Sequence, residues 1–291
     1  MLSIQLLGKR YRGGTVGLRD VSLDVGEGVL GLMGGNGAGK TTLLSILATV
    51  TKPTSGTFTW QGTDAVAQPA LVRRTLGYLP QDFGVYERLT GREMLSYLGQ
   101  LKGLAGRGLH ERVAAMLELV NLHGAADRRL GTYSGGMRQR IGIAQALLGD
   151  PKLLIVDEPT VGLDPEERVR FRNLLAEIAQ GRVVILSTHI VSDVEAIATS
   201  IAVLHRGTLV AHERPEELVR RAWGRVFTAV VAADRLAAVQ KQVHVAGLVR
   251  RPDGIHVRFV GDGDALPGAR GVEPCLEDAY LIESVAAGRA A

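Results

Sequence analysis

Apolar positions along the chain change period several times, and each change marks an element. Val21-Ser22-Leu23-Asp24-Val25 alternates with period two, Gly26-Glu27-Gly28 turns the chain, and Val29 to Met33 is an unbroken apolar run. The first thirty residues therefore read as strands joined by glycine turns. From Thr41 to Thr49, Leu43, Leu44 and Leu47 fall at helical spacing, so strand, glycine-rich loop and helix follow one another. Residues 91–148 differ in kind: Met94, Leu95 and Leu98, then Val113, Met116, Leu117 and Val120, then Ile141, Ala144, Leu147 and Leu148 form helical stripes. With no β-branched alternation among them, they predict an inserted helical lobe.

Beyond the lobe the period changes again. Leu153 to Val156 and Val183 to Leu186 read as buried strands, Glu166 to Gln180 as a helix, and Ile201 to Ala211 as a hairpin around His205-Arg206-Gly207. Strands alternating with helices predict an α/β chain with a mainly parallel sheet and helices on both faces. After Pro215 the pattern resets: a helix over 216–222, a strand over 226–231, a helix over 234–242, and strands over 243–250 and 255–260 joined by Arg251-Pro252-Asp253-Gly254. A Gly/Pro-rich loop and a helix from Leu276 to about Ala286 close the chain. The expected organisation is a main unit over 1–215 and a small α+β accessory domain over 216–291. A chain of 291 residues suits one large domain and one small one.

Charge narrows the function classes. The net charge of +4 lies in residues 1–214, with 24 Lys and Arg against 20 Asp and Glu, while residues 215–291 hold 10 of each. No basic block stands out, so no nucleic-acid partner is expected. The single cysteine, Cys275, excludes an intrachain disulfide, fits a reducing compartment and reads as a small buried apolar residue. The N-terminus lacks a signal-peptide pattern. The longest stretch free of charge, Gly28 to Gly39, is too short for a membrane-spanning helix, which needs ~20 residues. The chain is expected to be soluble, or to meet a membrane through another protein.

Gly34-Gly35-Asn36-Gly37-Ala38-Gly39-Lys40-Thr41, followed by Thr42, fits the phosphate-loop pattern G-x-x-x-x-G-K-[ST]. Glycines let backbone N–H groups curl around phosphates at the positive end of a helix. Lys40 would reach the β- and γ-phosphates, and the Thr41 hydroxyl would bind Mg²⁺. Asp157 ends a buried strand, where an unpaired carboxylate is costly unless a cation compensates it. The matching role is to hold Mg²⁺ through water, with Glu158 as the base that polarises the attacking water. Ser134-Gly135-Gly136 opens another helix and looks like a second anion cradle.

With these motifs in this order, the chain resembles the nucleotide-binding subunit of an ATP-binding-cassette (ABC) transporter over roughly residues 2–215. The resemblance implies a P-loop NTPase core with the helical lobe inserted, ATP and Mg²⁺ as cofactors, and further site residues. Tyr11 would stack on adenine, a contact worth ~1–3 kcal/mol where measured for single strands; the alternative is a packing aromatic on an edge strand. Gln81, in Leu79-Pro80-Gln81-Asp82, would touch Mg²⁺ and water and sense the membrane partner. Asp164, in Gly162-Leu163-Asp164-Pro165, would communicate across a dimer. His189, after Ser187-Thr188, would contact the γ-phosphate and orient Glu158. Ser134, Gly135 and Gly136 match the family signature that one copy offers to the other's γ-phosphate, so a homodimer is implied.

Three features bear on the branch of the family. The signature usually begins with Leu and ends in Gln; here Tyr133 and Met137 stand there, so the Gln side chain's polar contacts are missing. Gly35 stands where Pro or Ser is common, with little expected effect. Glu273-Pro274-Cys275-Leu276-Glu277-Asp278-Ala279-Tyr280 resembles the P-x-L-E-D-x-[FY] tail of drug, antibiotic and polysaccharide exporters. The resemblance thus implies a subunit that powers export through a separate integral membrane subunit, sits on the cytoplasmic face of the membrane and never binds the cargo. The alternatives are an importer ATPase and a non-transport ATPase of the same superfamily acting on ribosomes or DNA.

Overall fold

The computed structural model describes residues 1–289. Its centre is a six-stranded sheet in the order Thr208–Glu213, Ser200–His205, Gly28–Met33, Val183–Ser187, Leu153–Asp157, Leu76–Leu79. All neighbours run parallel except Thr208–Glu213, which returns antiparallel along Ser200–His205. The apolar runs of the central strands are buried on both faces, as a doubly covered parallel sheet requires.

The period of two decides which residue faces which layer. Leu154, Val156, Val184 and Leu186 face a core shared with the helices Gly91–Leu101, Gly106–Leu119, Gly135–Leu147 and Pro165–Ile178. Leu153, Ile155, Val183 and Ile185 face the opposite core. That side is covered by the helix Lys40–Leu47 and a second, antiparallel sheet in the order Val16–Val25, Leu2–Arg10, Ser55–Trp60, Thr63–Asp64. One face is therefore roofed largely by strands, where the alternation of elements predicted helices on both.

The helical lobe stands as predicted, its first helix opened by a capping box. Thr90 accepts from the Glu93 N–H at 3.1 Å while the Glu93 carboxylate accepts from the Thr90 N–H at 2.8 Å. Among the elements that escaped the pattern are Ser55–Trp60, Thr63–Asp64, the helix Pro69–Thr75, the strand Leu76–Leu79, the short helix Val191–Glu195 and the strand Arg270–Gly271. Leu76–Leu79 is four residues long and carries Gly77, whose backbone lies so close to the signature helix that a Cβ would stand 2.5 Å from the Ala146 carbonyl oxygen. The glycine that permits the close approach also hides the strand.

The C-terminal strands form a third sheet in the order His244–Arg251, Gly254–Val260, Val226–Val231, Arg270–Gly271. It has its own core of Ala229, Val239, Val243, Ile255, Val257, Phe259 and Leu266. The two helices flanking it lie between this sheet, through Val226 and Val260, and the central one. Leu218 from Pro215–Arg221, with Leu276, Ala279 and Ile282 from Leu276–Arg289, packs with Met33, Val194, Ile201 and Val203 of the central sheet region. Cys275 is exposed, contrary to its reading as a buried residue. It sits at the turn before the last helix, its thiol donating to Asp278 at 3.1 Å. Burial alone would raise the Asp278 carboxyl, but hydrogen bonds from Arg258 and Cys275 hold it below the usual range. The exporter-like tail is thus tied to the strand Gly254–Val260 through a buried acid–Arg258 pair.

Candidate functional site

The parallel strands Gly28–Met33, Leu153–Asp157 and Val183–Ser187 end together, and each releases a loop at that edge. The glycine loop follows the first. Gly39 precedes the helix Lys40–Leu47 at φ 105°, and a Cβ there would stand 2.5 Å from the Gly17 carbonyl oxygen. Only glycine turns the chain here. Gly35, Asn36, Gly37, Ala38, Gly39, Lys40, Thr41 and Thr42 line a cavity of about 540 Å³. The structure brings four of the other predicted residues to the same cavity: Tyr11, Gln81, Glu158 and His189. Gly34 is buried behind the loop.

Lys40 is 7% exposed, and its ammonium donates to the Gly34 carbonyl at 2.7 Å. The same nitrogen lies 3.7 Å from the Glu158 carboxylate. Glu158 adopts φ 48°, a left-handed conformation that costs a residue with a side chain about 1–3 kcal/mol and persists only where surroundings enforce it. Its N–H donates to the Ser187 carbonyl at 2.9 Å, and its other carboxylate oxygen is 2.8 Å from His189 Nδ1. The expected partnership of His189 with Glu158 is therefore present in a single chain.

Asp157 is 1% exposed, and neither carboxylate oxygen has a hydrogen-bond partner. Burial pushes its carboxyl above the usual range. The Ser187 and Thr41 hydroxyls and Lys40 stand near enough to temper that rise, without either hydroxyl hydrogen-bonding the carboxylate, and the Glu158 charge adds to it. A buried carboxylate in this state suits a site that receives a cation. Tyr11 is 41% exposed, with its hydroxyl 3.1 Å from that of Thr42 and Lys9 lying over its ring at 5.3 Å.

Ser134, Gly135, Gly136 and Asp164 do not line this cavity. Ser134 precedes the helix Gly135–Leu147 and its hydroxyl accepts from the Met137 N–H at 3.2 Å; Ser134 and Gly135 are exposed. Asp164 caps Pro165–Ile178, accepting from the Glu167 N–H at 2.9 Å. The departures from the usual signature are packing residues. Tyr133 is buried with its hydroxyl donating to the Ala125 carbonyl at 2.7 Å, and Met137 packs against the lobe core. The sequence reading missed Thr15, Val16, Gly17 and Val161, which also line the cavity. No periodic signal marks them; Gly17 is lining because the Tyr11 ring closes over it, where a Cβ would stand 2.9 Å from the ring.

A family model described as "ABC transporter" matches residues 18–161. The "Uncharacterized ABC transporter ATP-binding protein YxlF" of Bacillus subtilis is 39% identical over 250 residues, covering 86% of this chain and 83% of that protein. The chain belongs to the ABC transporter family. The "Doxorubicin resistance ATP-binding protein DrrA" of Mycobacterium tuberculosis is 40% identical to this ABC protein over 276 residues, 94% of this chain and 82% of that one. Among solved structures, the dimeric post-hydrolysis state of the ATP-binding cassette MJ0796 bound to ADP and Pi superposes with a TM-score of 0.68 at 26% identity, over 74% of this chain and 98% of that one. The protein is thus an ATP-binding subunit of an ABC transporter, with the P-loop ATPase fold and the ATP hydrolysis that go with the family. Relatives named as ABC transporter ATP-binding proteins do not favour an ABC ATPase acting on ribosomes or DNA. Among the described residues, no helix is long and apolar enough to cross a membrane.

Proposed function

We propose that this chain is a Mg²⁺-dependent ATPase that works as a head-to-tail homodimer on the cytoplasmic face of the membrane and drives export through a separate integral membrane subunit. The observation that carries the metal dependence is the buried, unpartnered Asp157 carboxylate beside the glycine loop. Thr41, Gln81 and Asp157 are the residues that would hold Mg²⁺. Bound Mg·ATP supplies the phosphoryl group and the cation that offsets its charge. Lys40, now on the Gly34 carbonyl, would exchange that acceptor for phosphate oxygens. Glu158 would take a proton from the attacking water, with His189 Nδ1 fixing the far carboxylate oxygen. Tyr11 would cover the base.

The dimer reading is supported by the exposed Ser134, Gly135 and Asp164 and the half-buried Gly136, which lie outside the chain's own cavity and so suit a second copy's nucleotide. Export is supported by relatives named for doxorubicin and daunorubicin resistance, together with the tail that anchors Asp278. Cargo recognition falls to the membrane subunit. Residues 216–291 form an accessory unit in this reading, supported by the separate core of its sheet, with its first and last helices packed on the central sheet region.

The test is a pull-down from detergent-solubilised host membranes with a tagged Glu158→Gln chain and Mg·ATP. A stoichiometric polytopic membrane protein in the eluate is the expected result. A purely soluble eluate, or one rich in ribosomes or DNA, overturns the reading. ATPase activity that persists undiminished in excess chelator overturns the metal dependence.

A further inference from the structure

We infer that Asp193 is a positioning residue for ATP hydrolysis, because its buried carboxylate clamps together the three segments that follow Glu158, Asp164 and His189. The inference rests on the catalytic roles proposed above for Glu158 and His189. Asp193 is 1% exposed and sits in the short helix Val191–Glu195, immediately after His189. It accepts a hydrogen bond from the Thr160 hydroxyl at 2.6 Å, and Thr160 is 2% exposed, two residues past Glu158. Arg168 and Arg172, from the helix that Asp164 caps, place guanidinium nitrogens 3.7 and 3.6 Å from the same carboxylate. Arg172 also donates to the Ser192 carbonyl at 3.1 Å.

The site needs such a clamp for a geometric reason. The ladder between Leu153–Asp157 and Val183–Ser187 ends at the pair Asp157–Ser187, so Glu158 and His189 both lie beyond the last strand pairing. Glu158 is held in a left-handed backbone conformation, and the His189 side chain is 56% exposed with little packing to fix it. The 2.8 Å contact between them therefore depends on where the two loops are anchored. Thr160–Asp193 is a second tie across the same gap, parallel to Glu158–His189 but buried. The helix carrying Asp193 is itself fixed to the strand that feeds the glycine loop. Val194 lies so close to Gly31 that a Cβ there would stand 2.3 Å from it.

The Thr160 hydroxyl is the hydrogen bond in this cluster that sets geometry. Neither Arg168 Nε nor Asp193 Oδ1 has a hydrogen-bond partner, so the arginines hold the carboxylate by charge rather than direction. A buried carboxylate that loses its partners is costly, but the same charge can be held with or without directional control. Reacting groups displaced by about 1 Å can lose on the order of 10²-fold in rate, and a loss of interactions made only in the transition state lowers kcat rather than substrate binding. A positioning role predicts that signature; a purely structural role predicts lower stability with an unchanged turnover number.

The experiment uses the full chain and compares Thr160→Val with Thr160→Ser, which differ in keeping the hydroxyl, and Asp193→Asn beside them. For Thr160→Val, kcat for ATP hydrolysis is expected to fall about tenfold, with KM and the Kd for ATP within about twofold. Thr160→Ser is expected to hold kcat within about twofold. As a readout that needs no turnover, the ring ¹⁵N shifts of His189 in selectively labelled protein are expected to move in Thr160→Val and not in Thr160→Ser. The inference is overturned if Thr160→Val keeps kcat and the His189 shifts unchanged, or if Thr160→Ser loses as much as Thr160→Val. It is also overturned if Kd and kcat change together. Asp193→Asn risks misfolding, and the threonine pair decides the matter without it. Glu158→Gln, run in parallel, separates the two ideas: full activity there sinks the catalytic reading, whereas lost activity there with a neutral Thr160→Val sinks only the clamp.

Discussion

The molecule carries two glycine-rich cups at helix N-termini, and they differ in what surrounds them. The cup at Gly34–Thr41 opens on a cavity lined also by a buried ammonium and a histidine-tied glutamate, with the buried Asp157 near Thr41 and Lys40 but not lining it. The cup at Ser134–Gly136 has the same local ingredients, a small residue run opening a helix, but it is exposed and outside that cavity. The lobe beneath it is packed by Tyr133 and Met137. Helix N-termini alone attract anions weakly, by ~0.3–1 kcal/mol at exposed positions. On the function proposed above, the first cup would bind phosphate by itself, whereas the second would only add to a phosphate already held.

The comparison breaks most visibly at Lys40. Lys40→Ala removes the buried cation, and ATP affinity measured on the monomer by titration is expected to fall about 10²–10³-fold, the scale of a lost charge-stabilising contact in a closed site. The second cup should behave in the opposite way. Gly135→Asp puts a carboxylate where a γ-phosphate would be received. An acid in a helix's first turn favours the dipole, so the variant should fold. ATPase activity is expected to drop about 10²-fold and the ATP-dependent dimer to vanish on size exclusion, with monomer affinity for ATP within about twofold. A large loss of monomer affinity in Gly135→Asp would erase the distinction between the cups.

Asp157 sharpens the contrast, since only the first cup has a buried acid beside it. Its carboxyl titrates above the ordinary 3.8, so the folded state binds more protons than the unfolded state between those two values. Stability therefore falls as pH rises through that window, and the cost is fully present above the folded value. Asp157→Asn is expected to remove this decline and raise the ligand-free stability near neutral pH by about 1 kcal/mol, about 2 °C in Tm. The same variant should lose most of the extra thermal stabilisation that Mg²⁺ adds to ATP. Ser134→Ala gives the smallest effect. It removes the acceptor for the Met137 N–H and should cost about 1 kcal/mol in a denaturant titration, leaving monomer ATP affinity unchanged.

Within the first cup, the residues were legible because the chemistry is local. Gly34 to Thr41 is one continuous segment between a strand and a helix, and the phosphate-binding geometry is set by backbone conformations that glycine alone allows. Asp157 stood out in the sequence as a cation-site candidate because an acid ending a buried run has few bland explanations, and the structure buries it without a hydrogen-bond partner. Cys275 was misread because burial of one residue in a turn depends on what covers it, and nothing does. Leu76–Leu79 was missed because four residues with a glycine carry no period, although its end delivers Gln81 to the cavity.

Local units are written in neighbouring residues: the glycine loop, the acidic strand end, the helical lobe and the motifs that resemble those of the ABC transporter proteins. Each is encoded by neighbours within a few residues, through backbone freedom, hydrophobic period or charge at a strand end. Only the tertiary structure decided which of these units share a cavity. It brought His189 onto Glu158, left Ser134–Gly136 outside, and gathered Thr160, Arg168, Arg172 and Asp193 from three segments into one buried cluster. It also folded the last helix back onto the central sheet region through Leu276, Ala279 and Ile282. Such meetings depend on strand order and on how loops leave a shared sheet edge. Those are properties of long-range packing that no local pattern along the chain records.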